Sequence, residues 1–418
     1  MNWKKCLCWG IILLFFWGVV PQSDSFPCRF FFLFIGDGMG EGDISLIEKY
    51  FEYRGEPSVF SSFPTKALVG TKNGEGTITD SAAGGTALAC GVKTRNGAIG
   101  LDISGKRVTS LAEIAHCKGM KVGIITNVTL NDATPASFYA HQSSRRAYYD
   151  IALEMVESDF DLFVGWGIAS PTGEGKRPNV LGLAKEKGYH VIQGWHDFMG
   201  TSVLPLLALV PFPFALDRPP DMPSLPHAVR RGIELLEGTQ GFFLVVEGGK
   251  IDWCKHMNDA GSLLRELEDF AQAVHEAIRF AKRYPEETVI VVTADHETGG
   301  FGIEDEIAFE VLEEQTFSYQ TFLNRVAKGE DPFSLLWELW GFTRGEMSAL
   351  VSPVEDPQRM FIALAQEYAR RVGVTWQTTH HTAEKVPVFL WNGEEFRGKE
   401  NVDIFAFFRT LLEGDTPL

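Results

Sequence analysis

Asp252 and His256 stand four residues apart, one helical turn, so a carboxylate and an imidazole can reach one ion. Asp295 and His296 form an adjacent pair of the same ligand types, just past the apolar run Val289-Ile290-Val291-Val292-Thr293. Glu247 closes a second such run, Phe242-Phe243-Leu244-Val245-Val246, and Asp37 follows a third, Phe31-Phe32-Leu33-Phe34-Ile35. Ser81 opens a stretch of small residues, Ser81-Ala82-Ala83-Gly84-Gly85. Its hydroxyl is either an ordinary helix cap or a nucleophile stabilised as alkoxide by a helix N-terminus and a metal. Asp132 and Thr134, just before Pro135, either make an Asx turn or offer oxygens to a hard ion such as magnesium. Arg145 and Arg146, at the start of a predicted helix, bring a guanidinium that can grip a phosphoryl group bidentately. Carboxylates and imidazoles gathered in this way suit a cluster of divalent metals and predict a metal-dependent hydrolase.

The elements that must position these groups alternate along the chain. The pattern predicts strands over 30–35, 66–71, 121–126, 160–164, 189–192, 242–247, 288–293 and 386–391. It predicts helices over 43–53, 81–90, 108–117, 145–157, 180–187, 227–237 and 261–283. Short β-branched and aromatic runs read as buried parallel strands, and alternation with helices reads as a doubly wound α/β domain. Sites in such sheets lie beyond the carboxyl ends of the strands, where the candidate residues fall. The proline-rich stretch 200–226 reads as a surface excursion. Residues 301–375 read as a helical insertion, with amphipathic stretches at Ile307–Glu314 and Gln358–Arg371. Residues 26–418 are accordingly expected to form one domain.

Rival readings are weaker. A dinucleotide loop wants Gly-x-Gly-x-x-Gly, and Gly36-Asp37-Gly38-Met39-Gly40 does not match it. Cys254, beside Asp252, reads as a buried packing thiol rather than a ligand. The formal net charge of −17 and the absence of a long basic run argue against a nucleic-acid surface. The acidity itself reads as solubility.

Residues 1–25 form a separate unit. Lys4 and Lys5 precede an apolar run from Cys6 to Val20, followed by Pro21 and small or polar residues. This describes a secretory signal cleaved after Ser25, since the run is shorter than the roughly 20 residues of a spanning helix. The mature protein is expected to be periplasmic or extracellular and free of membrane. Cys28, Cys90, Cys117 and Cys254 would then meet an oxidising compartment. Cys28 and Cys117 are the one pair that the predicted strands bring to the same sheet end.

Taken together, these segments resemble the alkaline phosphatase family of metal-dependent hydrolases. Gly36-Asp37-Gly38-Met39-Gly40, Thr79-Asp80-Ser81-Ala82-Ala83, Asp132-Ala133-Thr134-Pro135, Glu247…Asp252…His256, Thr293-Ala294-Asp295-His296 and His381-Thr382-Ala383 match its motifs in order. The resemblance spans Phe31 to Trp391. It implies a large, mostly parallel sheet flanked by helices on both faces, two Zn2+ ions and one Mg2+ ion. By resemblance, Asp252, His256 and His381 hold one zinc, and Asp37, Asp295 and His296 the other, with Ser81 as the nucleophile. Asp132, Thr134 and Glu247 serve magnesium, and Arg145 clamps phosphate. His380 is set aside, because adjacent residues entering a strand point to opposite sides. The implied activity is hydrolysis of small-molecule phosphate monoesters through a phosphoserine, commonly by a homodimer. Sulfatase and diesterase relatives are disfavoured by the missing aldehyde motif and by the magnesium set. Two departures stand out: Trp253 where the best-known enterobacterial type has lysine, and Gly84-Gly85, expected to loosen the nucleophile helix.

Overall fold

The computed structural model describes residues 28–351, 356–392 and 396–414, so the predicted signal segment lies outside the described residues. Strands β1 (Phe30–Gly36), β2 (Thr65–Val69), β3 (Lys121–Thr126), β4 (Leu162–Gly165), β5 (His190–Gln193), β6 (Leu206–Leu209), β7 (Phe242–Gly248) and β8 (Thr288–Thr293) come first. Short strands β9 (Glu297–Thr298), β10 (Gly302–Ile303), β11 (Val374–Thr375) and β12 (His381–Thr382) follow, then β13 (Val386–Trp391). Nine of these form one sheet in the order β2-β13-β8-β1-β7-β3-β4-β6-β5. It is parallel except for β13, which runs antiparallel to both β8 and β2.

The central strands are apolar throughout because both faces of the sheet are covered. β1, β7 and β8 are buried along their whole length. Period-2 alternation sorts their rings: Phe30 and Phe32 pack on Phe280, and Phe34 on Phe270, on one face. Phe31 and Phe243 pack on Phe408 on the other.

The helices are α1 (Glu41–Arg54), α2 (Ser81–Cys90), α3 (Leu111–Cys117), α4 (Ala133–Ala136), α5 (Tyr148–Glu157), α6 (Val180–Lys187), α7 (Trp195–Gly200) and α8 (Leu225–Leu236). α9 (Lys250–His256) and α10 (Ala260–Ala281) complete the series before β8. α10 packs with α1 and α8 on one face, while α2 and α3 lie on the other. α11 (Phe309–Glu313), α12 (Tyr319–Ala327), α13 (Pro332–Trp340), α14 (Arg344–Leu350) and α15 (Pro357–Arg371) occupy the stretch read as an insertion. The antiparallel pairing of β10 with β11 closes that stretch at its base. α16 (Val402–Glu413) ends the described chain against α2 and α3. None of the helices among the described residues is long and apolar enough to cross a membrane.

Three expectations are corrected. The proline-rich stretch is not all surface: Leu206–Leu209 is strand β6, pairing in parallel with β4 and β5. Its prolines flank the strand and leave its backbone donors free for the ladder. Arg145 lies in a turn before α5, not on the helix, because the helix begins at Tyr148. Cys117 is an exposed free thiol, so the Cys28–Cys117 bridge is not formed. Cys90 and Cys254 are buried free thiols, packed in the core.

Candidate active site and metal centre

Register sets the site. Ile35 pairs with Glu247 on one side and with Thr293 on the other, and Thr126 pairs with Glu247. The carboxyl ends of β1, β3, β7 and β8 are therefore level, and the residues just beyond them converge. Asp37 Oδ1 lies 3.5 Å from His296 Nε2, and Asp295 Oδ2 lies 3.3 Å from it. Ser81 Oγ stands 3.2 Å from the same nitrogen. The turn that delivers Asp37 needs Gly38 at φ +71°, where a Cβ would come within 2.8 Å of Asp252 Oδ1.

Ser81 is the first residue of α2 and not its cap. Asp80 takes that role, accepting from Ala83 N at 3.0 Å. The Ser81 hydroxyl is thus left facing the site, with only 3% of the residue exposed. Gly84 lets α2 pack closely beside the strand end, since a Cβ there would lie 2.6 Å from the Asp295 carbonyl oxygen.

The second group forms where α9 meets β12. His256 Nε2 is 3.2 Å from Asp252 Oδ2 and 3.2 Å from His381 Nε2. His381 reaches this point because β12 pairs with β9, His381 opposite Thr298, whereas His380 is exposed. The two groups touch: the ligand atoms of Asp252, His296 and His381 lie within 4.8 Å of one another, as do those of Asp37, Asp295 and His296.

Hydrogen bonds at the far ring nitrogens set the tautomers. His256 Nδ1 faces the carbonyl of Thr379 at 2.7 Å, and His381 Nδ1 that of Thr79 at 3.0 Å. A carbonyl only accepts, so each Nδ1 carries the proton and each neutral Nε2 presents a lone pair. Thr298 Oγ1 donates to Asp252 Oδ1 at 2.6 Å and faces His296 Nδ1 at 3.2 Å, which puts His296 in the same state.

The oxygen-rich group lies beside these. Thr134 Oγ1 donates to Asp37 Oδ2 at 3.3 Å, with Asp295 Oδ2 at 3.5 Å. Glu247 is buried and accepts from Thr126, with Asp132 and Thr134 among its neighbours. Asp132 caps α4 through Ala133 N at 2.7 Å and holds Arg145 Nη2 at 3.2 Å. Arg145 Nη1 lies 3.4 Å from Ser81 Oγ and 3.5 Å from Asp80 Oδ2, while Arg146 is exposed. The Trp253 ring packs on Trp166 and Phe214, with centroids 6.2 and 6.4 Å apart.

So much buried charge distorts titration. Burial, with the charges of Asp295 and Asp252, pushes Asp37 well above the usual carboxylate range. Burial and Asp132 do the same to Glu247. Burial and Asp252 push Asp295 up to about 7. Burial alone would raise Asp252, but the His256 hydrogen bond and three neighbouring imidazoles hold it well below its ordinary value. Burial and the neighbouring His381 keep His296 well below the usual histidine range.

Divalent metals fit this arrangement. Asp37 Oδ1 is buried with no hydrogen-bond partner among the described residues, a costly state for an oxygen that nothing else satisfies. Zinc bonds of about 2.0–2.1 Å in a tetrahedron put neighbouring ligand atoms about 3.3 Å apart. The ligand-atom spacings here are 3.2 to 3.5 Å around His296 Nε2 and 3.2 Å on either side of His256 Nε2.

Several residues were missed from sequence. Thr298 and Thr126 act through hydroxyls whose partners are distant in the chain, and no local pattern marks them. Asp80 was visible as the acid before Ser81. Lys255 and Glu297 sit beside candidate ligands, but their pairing with each other depends on the fold.

The family model for alkaline phosphatase matches residues 29–161 and 179–413. Alkaline phosphatase 3 of Bacillus subtilis is 31% identical over 401 residues, covering 88% of this chain and 86% of that protein. The cold-active alkaline phosphatase of a psychrophilic Shewanella superposes with a TM-score of 0.80 at 28% identity, covering 92% of this chain and 99% of that one. A variant of the alkaline phosphatase from the Antarctic bacterium TAB5, described with Mg bound in its M3 site, superposes at 0.70 with 27% identity, covering 94% and 100%. Likeness in sequence and in fold over most of the described length shows that this chain belongs to the alkaline phosphatase family and is a phosphomonoesterase.

Proposed function

We propose that this phosphomonoesterase works through a phosphoserine at Ser81, at a centre of two zinc ions and one magnesium ion. Asp252, His256 and His381 would hold one zinc, and Asp37, Asp295 and His296 the other. Asp132, Thr134 and Glu247 would serve magnesium, because all-oxygen donors prefer the harder ion. The magnesium-bearing TAB5 relative supports that choice. When bound, the ions supply Lewis-acid charge that favours the serine alkoxide and neutralises the phosphoryl and leaving oxygens.

The chain's own groups do the rest. The N-terminus of α2 stabilises negative charge on Ser81 Oγ. Arg145, aligned by Asp132 and Asp80, presents its guanidinium beside that oxygen and grips the equatorial phosphoryl oxygens. Ser81 Oγ gives up its proton and attacks phosphorus in line, the bond to the alcohol oxygen breaks, and that oxygen takes up a proton as the alcohol leaves. A water molecule then attacks from the vacated side, the bond from phosphorus to Ser81 Oγ breaks, and inorganic phosphate departs as the hydroxyl regains its proton.

The substrates are small-molecule phosphate monoesters, and the protein acts outside the cytoplasm after removal of residues 1–25. The observation that carries the metal-centred reading is the convergence of His256 Nε2 on both His381 Nε2 and Asp252 Oδ2 at 3.2 Å, while the two Nδ1 atoms are committed to backbone carbonyls. Acid-quenching the enzyme during turnover of 4-nitrophenyl phosphate and mapping peptides by mass spectrometry tests the nucleophile. One phosphoryl group is expected on the peptide containing Ser81, and none in Ser81→Ala, whose turnover falls by several orders of magnitude. Near-normal turnover in that variant sinks the assignment.

A further inference from the structure

Behind the ligands lies a set of charges with no solvent contact. Lys255 and Asp43 are fully buried, and Glu297 is 1% exposed. Lys255 Nζ donates to the Asp43 carboxylate, to Glu297 Oε1 at 3.0 Å and to the Gly38 carbonyl at 2.7 Å. Asp43 Oδ2 also accepts from Gly40 N at 2.6 Å. Glu297 accepts from Gly300 N at 3.1 Å, from Phe301 N at 3.2 Å and from Thr382 Oγ1 at 2.5 Å.

Four of the residues joined in this way stand one place from a candidate ligand. Gly38 follows Asp37, Lys255 precedes His256, Glu297 follows His296, and Thr382 follows His381. The sheet register levels Asp37 with Asp295, but α9 and β12 lie outside that sheet. His381 is placed by the pairing of β12 with β9 and His256 by its bond to the Thr379 carbonyl, and the buried charges tie these outlying segments to the turn after β1. Stability is a poor explanation for the triad, since apolar side chains of similar volume serve a core as well as a buried ion pair or better. Groups that orient metal ligands without touching the metal are a recurrent requirement of metal sites.

We propose that Lys255, Asp43 and Glu297 form a buried positioning triad that holds the segments bearing Asp37, His256, His296 and His381 at zinc-binding spacing. This rests on the two-zinc reading above. None of the three touches substrate or a reacting atom. They act through the backbone of neighbouring residues.

Thr382 offers a mild test. Thr382→Val keeps the shape of the side chain and removes the hydroxyl that binds Glu297, and Thr382→Ser retains the hydroxyl. Zinc affinity, read by competition with a chelator, is expected to fall about tenfold to a hundredfold in the Val variant. The Ser variant should stay within about twofold of the parent, and the melting temperature of the metal-free protein should be nearly unchanged in both. Glu297→Gln, which keeps the shape and drops one charge, should lose zinc affinity in the same direction. A Thr382→Val protein that binds zinc like the parent overturns the triad while leaving the metal reading intact. So does one whose metal-free stability falls in step with its affinity, because that marks a structural role. A parent protein that binds no zinc overturns the metal reading and the triad with it.

Discussion

The Nε2 atoms of His256 and His381 face each other at 3.2 Å, while both Nδ1 atoms are committed to backbone carbonyls. Burial opposes a proton on His256, but the hydrogen bond and charge of Asp252 raise its affinity for one above the ordinary histidine value. A metal held at this nitrogen competes with that proton, so metal binding is expected to depend on pH.

Asp295 makes the coupling measurable. Its folded-state value of about 7 is raised above the ordinary carboxylate value of 3.8. A raised group stabilises the fold fully below its unfolded value, and that contribution is lost as pH rises through the folded value. The window therefore runs from the ordinary carboxylate range up to about 7. Melting of metal-free parent and Asp295→Asn should show the variant gaining on the parent as pH rises across it. Zinc affinity of the parent should climb over the same range and then flatten. A melting difference that is independent of pH would contradict the assignment.

Thr298 is predicted to matter for metal binding as well as for folding. Its hydroxyl joins Asp252 and His296, both buried. Thr298→Val strands the His296 Nδ1–H, costing about 1–3 kcal/mol of stability, and should weaken zinc binding about tenfold to a hundredfold. Thr298→Ser should restore both. Zinc titration alongside thermal unfolding checks this, and parent-like zinc binding in Thr298→Val rules it out.

Arg145→Ala should raise the inhibition constant of inorganic phosphate about tenfold to a hundredfold, the worth of a charge-assisted hydrogen-bonded clamp. Arg145→Lys should fall between, since lysine cannot present a planar fork. Product inhibition measured for all three proteins decides it, and equal constants would remove Arg145 from the phosphate site.

The convergence of the strand-end carboxylates was readable because two signals coincide there: an apolar run that must be buried, then a carboxylate just past its end. Asp37, Glu247 and Asp295 are of this kind. α16 was readable too, since Ile404, Phe408, Leu411 and Leu412 keep helical spacing, yet it went unassigned after the last strand. β6 was hidden by the prolines on either side of a four-residue strand. Thr298, Thr126 and the Lys255 triad were not readable, because a hydroxyl or a charge acquires its role only from a partner across the fold. Asp80 shows the intermediate case: its capping role follows from position, and its hold on Arg145 does not.

Covalent catalysis at Ser81 is tested most directly by the stereochemistry at phosphorus. Two successive in-line displacements, one by Ser81 and one by water, each invert the phosphorus centre. Transfer from a phosphate monoester made chiral with oxygen isotopes to an acceptor alcohol should therefore proceed with overall retention. Inversion would mean a single direct displacement with no phosphoserine, and would contradict the account.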